Sequence, residues 1–200
     1  MTTSDGAVAT VSDGGVGDLA AQAGTVVLLS PLGAAWSVNV TTGLSKPTIG
    51  SADHPLLDLN SVNVSSVGGP SWIEIELTDT GFTEQTGAGF FSAIGGTTSG
   101  SVSFKTYYDA DNNAFGKGTE LASLDSIGPA FAATAGGQFM SLTPFSLTLL
   151  VRVAHVGAQV SSFDATVAVP EPGTLFLFGT GLVGLAGAFM RRGARKQTLA

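Results

Sequence analysis

The feature that most limits what this sequence can fold into is an alternation of apolar and polar side chains, with a period of two, that recurs along its first 169 positions. The longest case sets Phe145, Leu147, Leu149, Val151 and Val153 against Ser146, Thr148 and Arg152. Successive side chains of a strand point to opposite faces, so this spacing predicts a strand with one buried face. Trp36, Val38 and Val40 alternate in the same way with Ser37, Asn39 and Thr41. Ile73, Ile75 and Leu77 alternate with Glu74 and Glu76, and Val102, Phe104 and Tyr108 with Ser103, Lys105 and Tyr107. A last strand over residues 160–169 places Phe163, Ala165 and Val167 on one face and Ser162, Asp164 and Thr166 on the other. Pro170, which has no amide to donate, ends it.

Turn signals separate these runs at Lys46 and Pro47, Gly68 to Pro70, Gly95 and Gly96, Asp109 to Gly118, Gly136 and Gly137, and Ala154 to Ala158. The 28 Gly and 42 Ser plus Thr among 200 residues further disfavour helices. Short strands at this spacing, each with one buried face, predict an all-β body over residues 1–168. Its expected form is an antiparallel β-sandwich of jelly-roll or immunoglobulin-like kind, with no signal for the strand order. No period of twenty to fifty residues repeats, which argues against a solenoid or propeller.

Beyond the body the composition changes. Residues 1–173 hold all 15 acidic groups and four bases, a net charge of −11, whereas residues 174–200 hold four bases and no acid. An acidic body repels phosphates, so nucleic acid is not an expected partner. Thr174 to Met190 is free of charge and rich in Leu, Phe, Val, Gly and Ala. At about 1.5 Å per residue it reaches roughly 25 Å as a helix, the short end of what spans a bilayer. Arg191, Arg192, Arg195 and Lys196 follow and should stay cytoplasmic, leaving the acidic body outside. Gly179, Gly181 and Gly184 spell a dinucleotide-like G-x-G-x-x-G, but only sixteen residues follow and none is acidic. They fit a small-residue face on a membrane helix better.

Val169, Pro170, Glu171, Pro172, Gly173 and Thr174, then the apolar Gly-rich run, then the Arg cluster, resemble the PEP-CTERM sorting signal of Gram-negative bacteria. The resemblance implies export, transient anchoring in the inner membrane and processing by an exosortase, with Pro170, Glu171 and Pro172 as the recognition positions. It implies four segments: the ectodomain 1–168, a Pro/Glu sorting linker 169–173, a transmembrane helix 174–190 and a basic tail 191–200. It also implies a cell-surface or extracellular destination, usually in organisms that make exopolysaccharide. Export needs a cleavable leader, and Met1 to Val16 has neither a basic start nor an apolar stretch. The leader is therefore expected upstream of Met1.

Few residues suggest chemistry. Asp109, Asp111, Asn113 and Glu120 occupy positions 1, 3, 5 and 12 of a twelve-residue loop, the oxygen-ligand spacing of an EF-hand calcium site. Ala114 stands where that loop needs glycine, and an Asx-rich turn between strands explains the same residues. His54 and His155, the two histidines, both fall in apparent turns and are expected to face solvent, and no G-x-S-x-G elbow is present. Glu74 and Glu76 share a strand face, as glycosidase carboxylates sometimes do, but such alternation more often reflects solvation. Cys 0 excludes disulfides and thiolate metal sites. The expectation is a non-enzymatic surface or matrix protein associated with exopolysaccharide and lacking a cofactor, calcium aside. The alternatives are a carbohydrate- or calcium-dependent binding module and a glycoside hydrolase-like enzyme.

Overall fold

The computed structural model describes residues 1–170. The alternating segments are realised as strands, in the order β1 Thr2–Thr3, β2 Thr25–Leu32, β3 Trp36–Leu44, β4 Leu56–Ser66, β5 Ser71–Phe82, β6 Gln85–Thr98, β7 Ser101–Asp109, β8 Thr119–Ile127, β9 Ala130–Ser141, β10 Phe145–His155 and β11 Val160–Ala168. All pairings are antiparallel. One sheet has the order β1-β5-β10-β7-β8, the other β2-β3-β4-β11-β6-β9. After the β2-β3-β4 meander the chain passes from sheet to sheet at every connection except the one between β7 and β8. The two inner faces meet in a single core that includes Val38, Leu59, Ile75, Phe104, Leu149 and Phe163. Among the described residues no helix is long and apolar enough to cross a membrane. The membrane helix expected over residues 174–190 and the bases that follow it lie outside the described residues.

β10 departs from the one-sided burial expected of it. Its odd-numbered residues from Phe145 to Val153 are fully buried, but Ser146 and Thr148 are buried as well. The reason is the loop after β7, which folds back over the outer face of this central strand. Ser146 Oγ donates to Asn113 O at 2.6 Å, and Phe115 N donates to Thr78 Oγ1 at 3.1 Å.

Two glycine pairs read as turns from the sequence lie inside strands instead. Gly95 and Gly96 belong to β6, and Gly136 and Gly137 to β9. Close approach, not turning, requires them. A Cβ on Gly96 would stand 2.7 Å from the Phe163 Cα of β11, and one on Gly137 would stand 2.8 Å from the Phe90 ring. Five strands, β3, β5, β7, β10 and β11, correspond to the alternating runs. Of the others, β6 and β9 are interrupted by Gly, β2 reads as the continuous apolar run Val26 to Leu29, and β4 breaks its period at Asn60 and Ser61.

Candidate functional site

β1 pairs with β5 only at Ile73 and Glu74, so the edge of β5 beyond Glu74 is uncovered on that side. A cleft of about 450 Å³ lies there, lined by Ile75 to Thr80 of β5, by Thr41 and Gly43 of β3, and by residues 9–13 of the arm ahead of β2. Two of its carboxylates, Asp79 and Glu76, are paired with bases, whereas Asp13 accepts from the backbone Gly24 N at 2.7 Å. Lys46 Nζ lies 2.8 Å from Asp79 Oδ2 and 4.2 Å from the Phe82 ring centroid, and Ser45 Oγ donates to the same carboxylate. Lys117 Nζ sits 2.9 Å from Glu76 Oε1. Among the described residues, one buried polar group at the cleft has no partner: Thr41 Oγ1, on a residue 4% exposed, makes no hydrogen bond. An unmet buried hydroxyl costs about 1–3 kcal/mol, so it marks a place where a donor or acceptor from outside would gain.

At the far end of β10 the structure corrects the sequence reading of His155. The residue is 2% exposed, not solvent-facing, and its ring stacks on Trp36 with centroids 4.7 Å apart. Its protonation state follows from counting donors. Ser66 Oγ has one hydrogen and gives it to Gly157 O at 2.7 Å, so His155 Nδ1 donates to Ser66 Oγ, also at 2.7 Å. Nε2 then accepts from Ser161 Oγ at 2.8 Å. Ser161 Oγ accepts from Thr98 Oγ1 at 2.7 Å, and Thr98 Oγ1 accepts from Gly100 N at 3.0 Å. The imidazole is neutral, and burial lowers its pKa from the ordinary histidine value. This chain of hydroxyls ties β4, β6, β10 and β11 together across the two sheets. His54, by contrast, is exposed in the turn before β4.

The four calcium candidates are only partly brought together. Asp109, 7% exposed, accepts from Asn113 N at 3.1 Å, Asn113 Nδ2 at 2.9 Å and Asp111 N at 3.4 Å. Burial raises the pKa of its carboxyl, but the bonds from Asn113 and Asp111 outweigh that and hold it below the usual value. Glu120 lies on β8, opposite Tyr107 and 3.1 Å from Lys105 Nζ. Among the described residues no group of three or more His, Cys, Asp or Glu is arranged to hold a metal. The geometry is that of a turn closed by its own first carboxylate, aided by positive φ at Asn112 and Phe115. Thermal unfolding is accordingly expected at the same temperature in millimolar calcium and in chelator. A calcium-dependent rise that Asp109→Ala removes would establish a bound ion instead.

The two strand-face glutamates are each joined to a base. Glu74 Oε1 is 3.0 Å from Arg152 Nη1, whose guanidinium covers the Trp72 ring at 4.2 Å, and Glu76 is held by Lys117 as above. At the C-terminal end of the body, Val169 is 2% exposed and its N–H donates to Pro55 O at 3.0 Å. The body therefore closes one residue beyond Ala168, at the first position of the sorting motif. Glu171, Pro172, Gly173 and Thr174 lie outside the described residues.

The fold and its ending define a two-sheet antiparallel β-sandwich followed at once by an appended C-terminal signal. Residues 168–195 match the family model of the PEP-CTERM protein-sorting motif. The chain carries that motif, which supports an exported protein and implies processing by an exosortase. No curated protein matches the sequence. The chain is similar to the solved structure of TmCBM61 in complex with beta-1,4-galactotriose, at 11% identity over 68% of this chain and 88% of that one, with a TM-score of 0.38. It is also similar to the K3 cleaved adhesin domain of Lys-gingipain from Porphyromonas gingivalis w83, at 10% identity over 55% and 74%, TM-score 0.34. A third similar structure is the C-terminal CBM6 of LamC from Zobellia galactanivorans, at 12% identity over 71% and 98%, TM-score 0.25.

Proposed function

We propose that this chain is an exported, non-enzymatic surface or matrix protein whose β-sandwich is carried to the outside by its tail and then set free. In this reading residues 174–190 form the inner-membrane helix, Arg191, Arg192, Arg195 and Lys196 hold its cytoplasmic end, and an exosortase acts at Pro170 to Pro172. The released body is retained in an exopolysaccharide layer. The observation that carries the reading is where the fold stops. Among the described residues the last buried side chain is Val169, and Pro170 cannot continue a ladder, so a cut just beyond it leaves every described strand in place. In an exporting host with a leader supplied, mass spectrometry should find a released species lacking roughly the last thirty residues, its end falling within the motif. Release of full-length protein would contradict the reading.

A second reading, a saccharide-binding module, is favoured by the cleft with the unpartnered Thr41 hydroxyl. Its volume falls within the range of small-ligand sites, and Asp79 and Glu76 are already paired with bases while Asp13 is left as a hydrogen-bond acceptor, which suits a ligand rich in hydroxyls. Titration with cellobiose, maltose and lactose, followed by NMR of the isotope-labelled chain in a detergent without a sugar headgroup, tests this. Binding should move signals of Thr41 and Thr78, and Thr41→Val should weaken it about tenfold, the worth of one hydrogen bond. Absence of any shift at 10 mM disaccharide would remove this reading.

A further inference from the structure

Four edge strands bound the two sheets: β1 and β8 in one, β2 and β9 in the other. An open edge is a row of unpaired amides and carbonyls that templates another strand unless brevity, charge, proline or a bulge blunts it. Three of the four are blunted. β1 has two residues, and the length of β5 that it leaves uncovered carries Glu76 and Asp79. β8 carries Glu120 and Asp125. β2 contains Pro31 and a register shift between Leu28 and Ser30. Its outer side is also occupied, since Leu19 N donates to Val27 O at 3.0 Å and Val27 N donates to Asp18 Oδ1 at 2.9 Å.

β9 is the least protected, its one irregularity being a register shift at its end, between the Gln85–Ser141 and Ala88–Phe139 pairs. Its twelve residues include no charge and no proline, and its pairing with β6 runs without interruption from Thr97 opposite Ala130 to Ala88 opposite Phe139. Among the described residues β6 is its one strand partner. Ala130, Ala132, Thr134, Gly136, Gln138 and Met140 are exposed along it. The nearest charged residues in sequence are Asp125 and Arg152.

We propose that β9 pairs antiparallel with β9 of a second copy, joining two six-stranded sheets into one. The occupant follows from charge and symmetry. Residues 1–173 carry a net −11, so two bodies repel unless they meet where the surface is neutral, and the edge at β9 is such a place. In an antiparallel pair a strand meets its own reverse. Centred on Ala135, that pairing brings Ala, Gly and Thr of the two copies together along most of its length, with Gln138 of each opposite Ala132 of the other, while Phe139 stays in its own core. Because the bodies repel, added salt should strengthen the association. The pairing does not depend on whether the tail is cut, and its test is separate from that of sorting.

The test uses the full chain in a detergent matched to the solvent density, followed by sedimentation equilibrium. Wild type is expected to be dimeric at 100 µM, and more so at 0.5 M sodium chloride than at 0.05 M. Thr134→Lys places a charge on each exposed edge and should weaken dimerisation at least tenfold without moving the melting temperature, whereas Thr134→Val should keep the dimer. Since the chain has no cysteine, Thr134→Cys should link to its copy through a short bis-maleimide, while Ser162→Cys on the face of β11 should not. A monomeric wild type overturns the proposal. So does a dimer that survives Thr134→Lys, as association through the tail would, and so does failure of Thr134→Cys to crosslink more than Ser162→Cys.

Discussion

Replacing His155 by alanine is expected to lower the stability of the folded body by roughly 2–4 kcal/mol, because the buried ring is the centre of a chain of hydroxyls and leaves a cavity when removed. Ser66 and Ser161 would each lose a partner at 2.7–2.8 Å in a place that water does not reach freely. The same site predicts a pH dependence of definite sign. Burial lowers the folded-state pKa of His155 below that of the unfolded chain. Between the two values only the unfolded chain binds the proton, so the contribution is complete above about pH 6.5 and is lost as pH falls toward and through the folded value. Burial alone sets this direction, and the groups stacked on or bonded to the ring, Trp36, Ser66 and Ser161, are uncharged. Protonation would give Nε2 a hydrogen facing one that Ser161 already donates, and the Ser161 and Thr98 hydroxyls would have to reverse, while the Nδ1 bond to Ser66 stays as it is. Melting curves between pH 8 and pH 4.5 check this. Wild type should lose stability below about pH 6.5, while His155→Gln, which can still donate and accept, should be less stable at pH 8 but flatter through that window. Parallel curves would mean that the ring is not the titrating group.

At the other end of β10, Phe145→Ala is expected to cost about 3–5 kcal/mol, the usual range for emptying a fully buried phenylalanine site. Phe145 is 0% exposed and its ring meets Phe139 at 5.0 Å, Phe82 at 5.7 Å and Tyr108 at 6.0 Å. Those partners come from β9, β5 and β7, so the cavity would loosen both sheets together and leave little prospect of local collapse. Urea denaturation followed by circular dichroism should show the midpoint falling with the slope unchanged. Phe145→Leu should recover most of the loss. If Phe145→Ala unfolded within 1 kcal/mol of wild type, the aromatic cluster would not be the tight packing described.

The all-β class and five of the strands were legible because a strand with one buried face writes its period into the sequence. Phe163, Ala165 and Val167 of β11 are buried as expected, while Asp164 between them is exposed. Two of the hidden strands, β6 and β9, are ones whose packing required the absence of side chains. Gly96 and Gly137 resemble turn residues from the sequence alone, and only the distance to Phe163 or Phe90 shows why they sit in strands. His155 carried a usable signal. It continues the odd-numbered inward series of Phe145 to Val153, and extending the period by one step would have placed it inside. The cleft had no such signal, since Thr41, Lys46 and Asp79 come from separate parts of the chain and meet through a fold whose strand order the sequence does not encode locally. The sorting segment was readable for the opposite reason. Its proline-rich motif, apolar run and basic cluster are contiguous, and contiguity needs no fold.

The central claim is that the body is delivered and released through its tail, and Glu171→Ala tests it most directly. The substitution lies beyond Val169, the last buried residue among those described, so the melting temperature of the body should match wild type. In an exporting host that has an exosortase, with a leader supplied, wild-type protein should appear outside the cell shortened by roughly its last thirty residues. The Glu171→Ala protein should instead accumulate at full length in the inner membrane. Equal shortening and release of the two proteins would contradict the account.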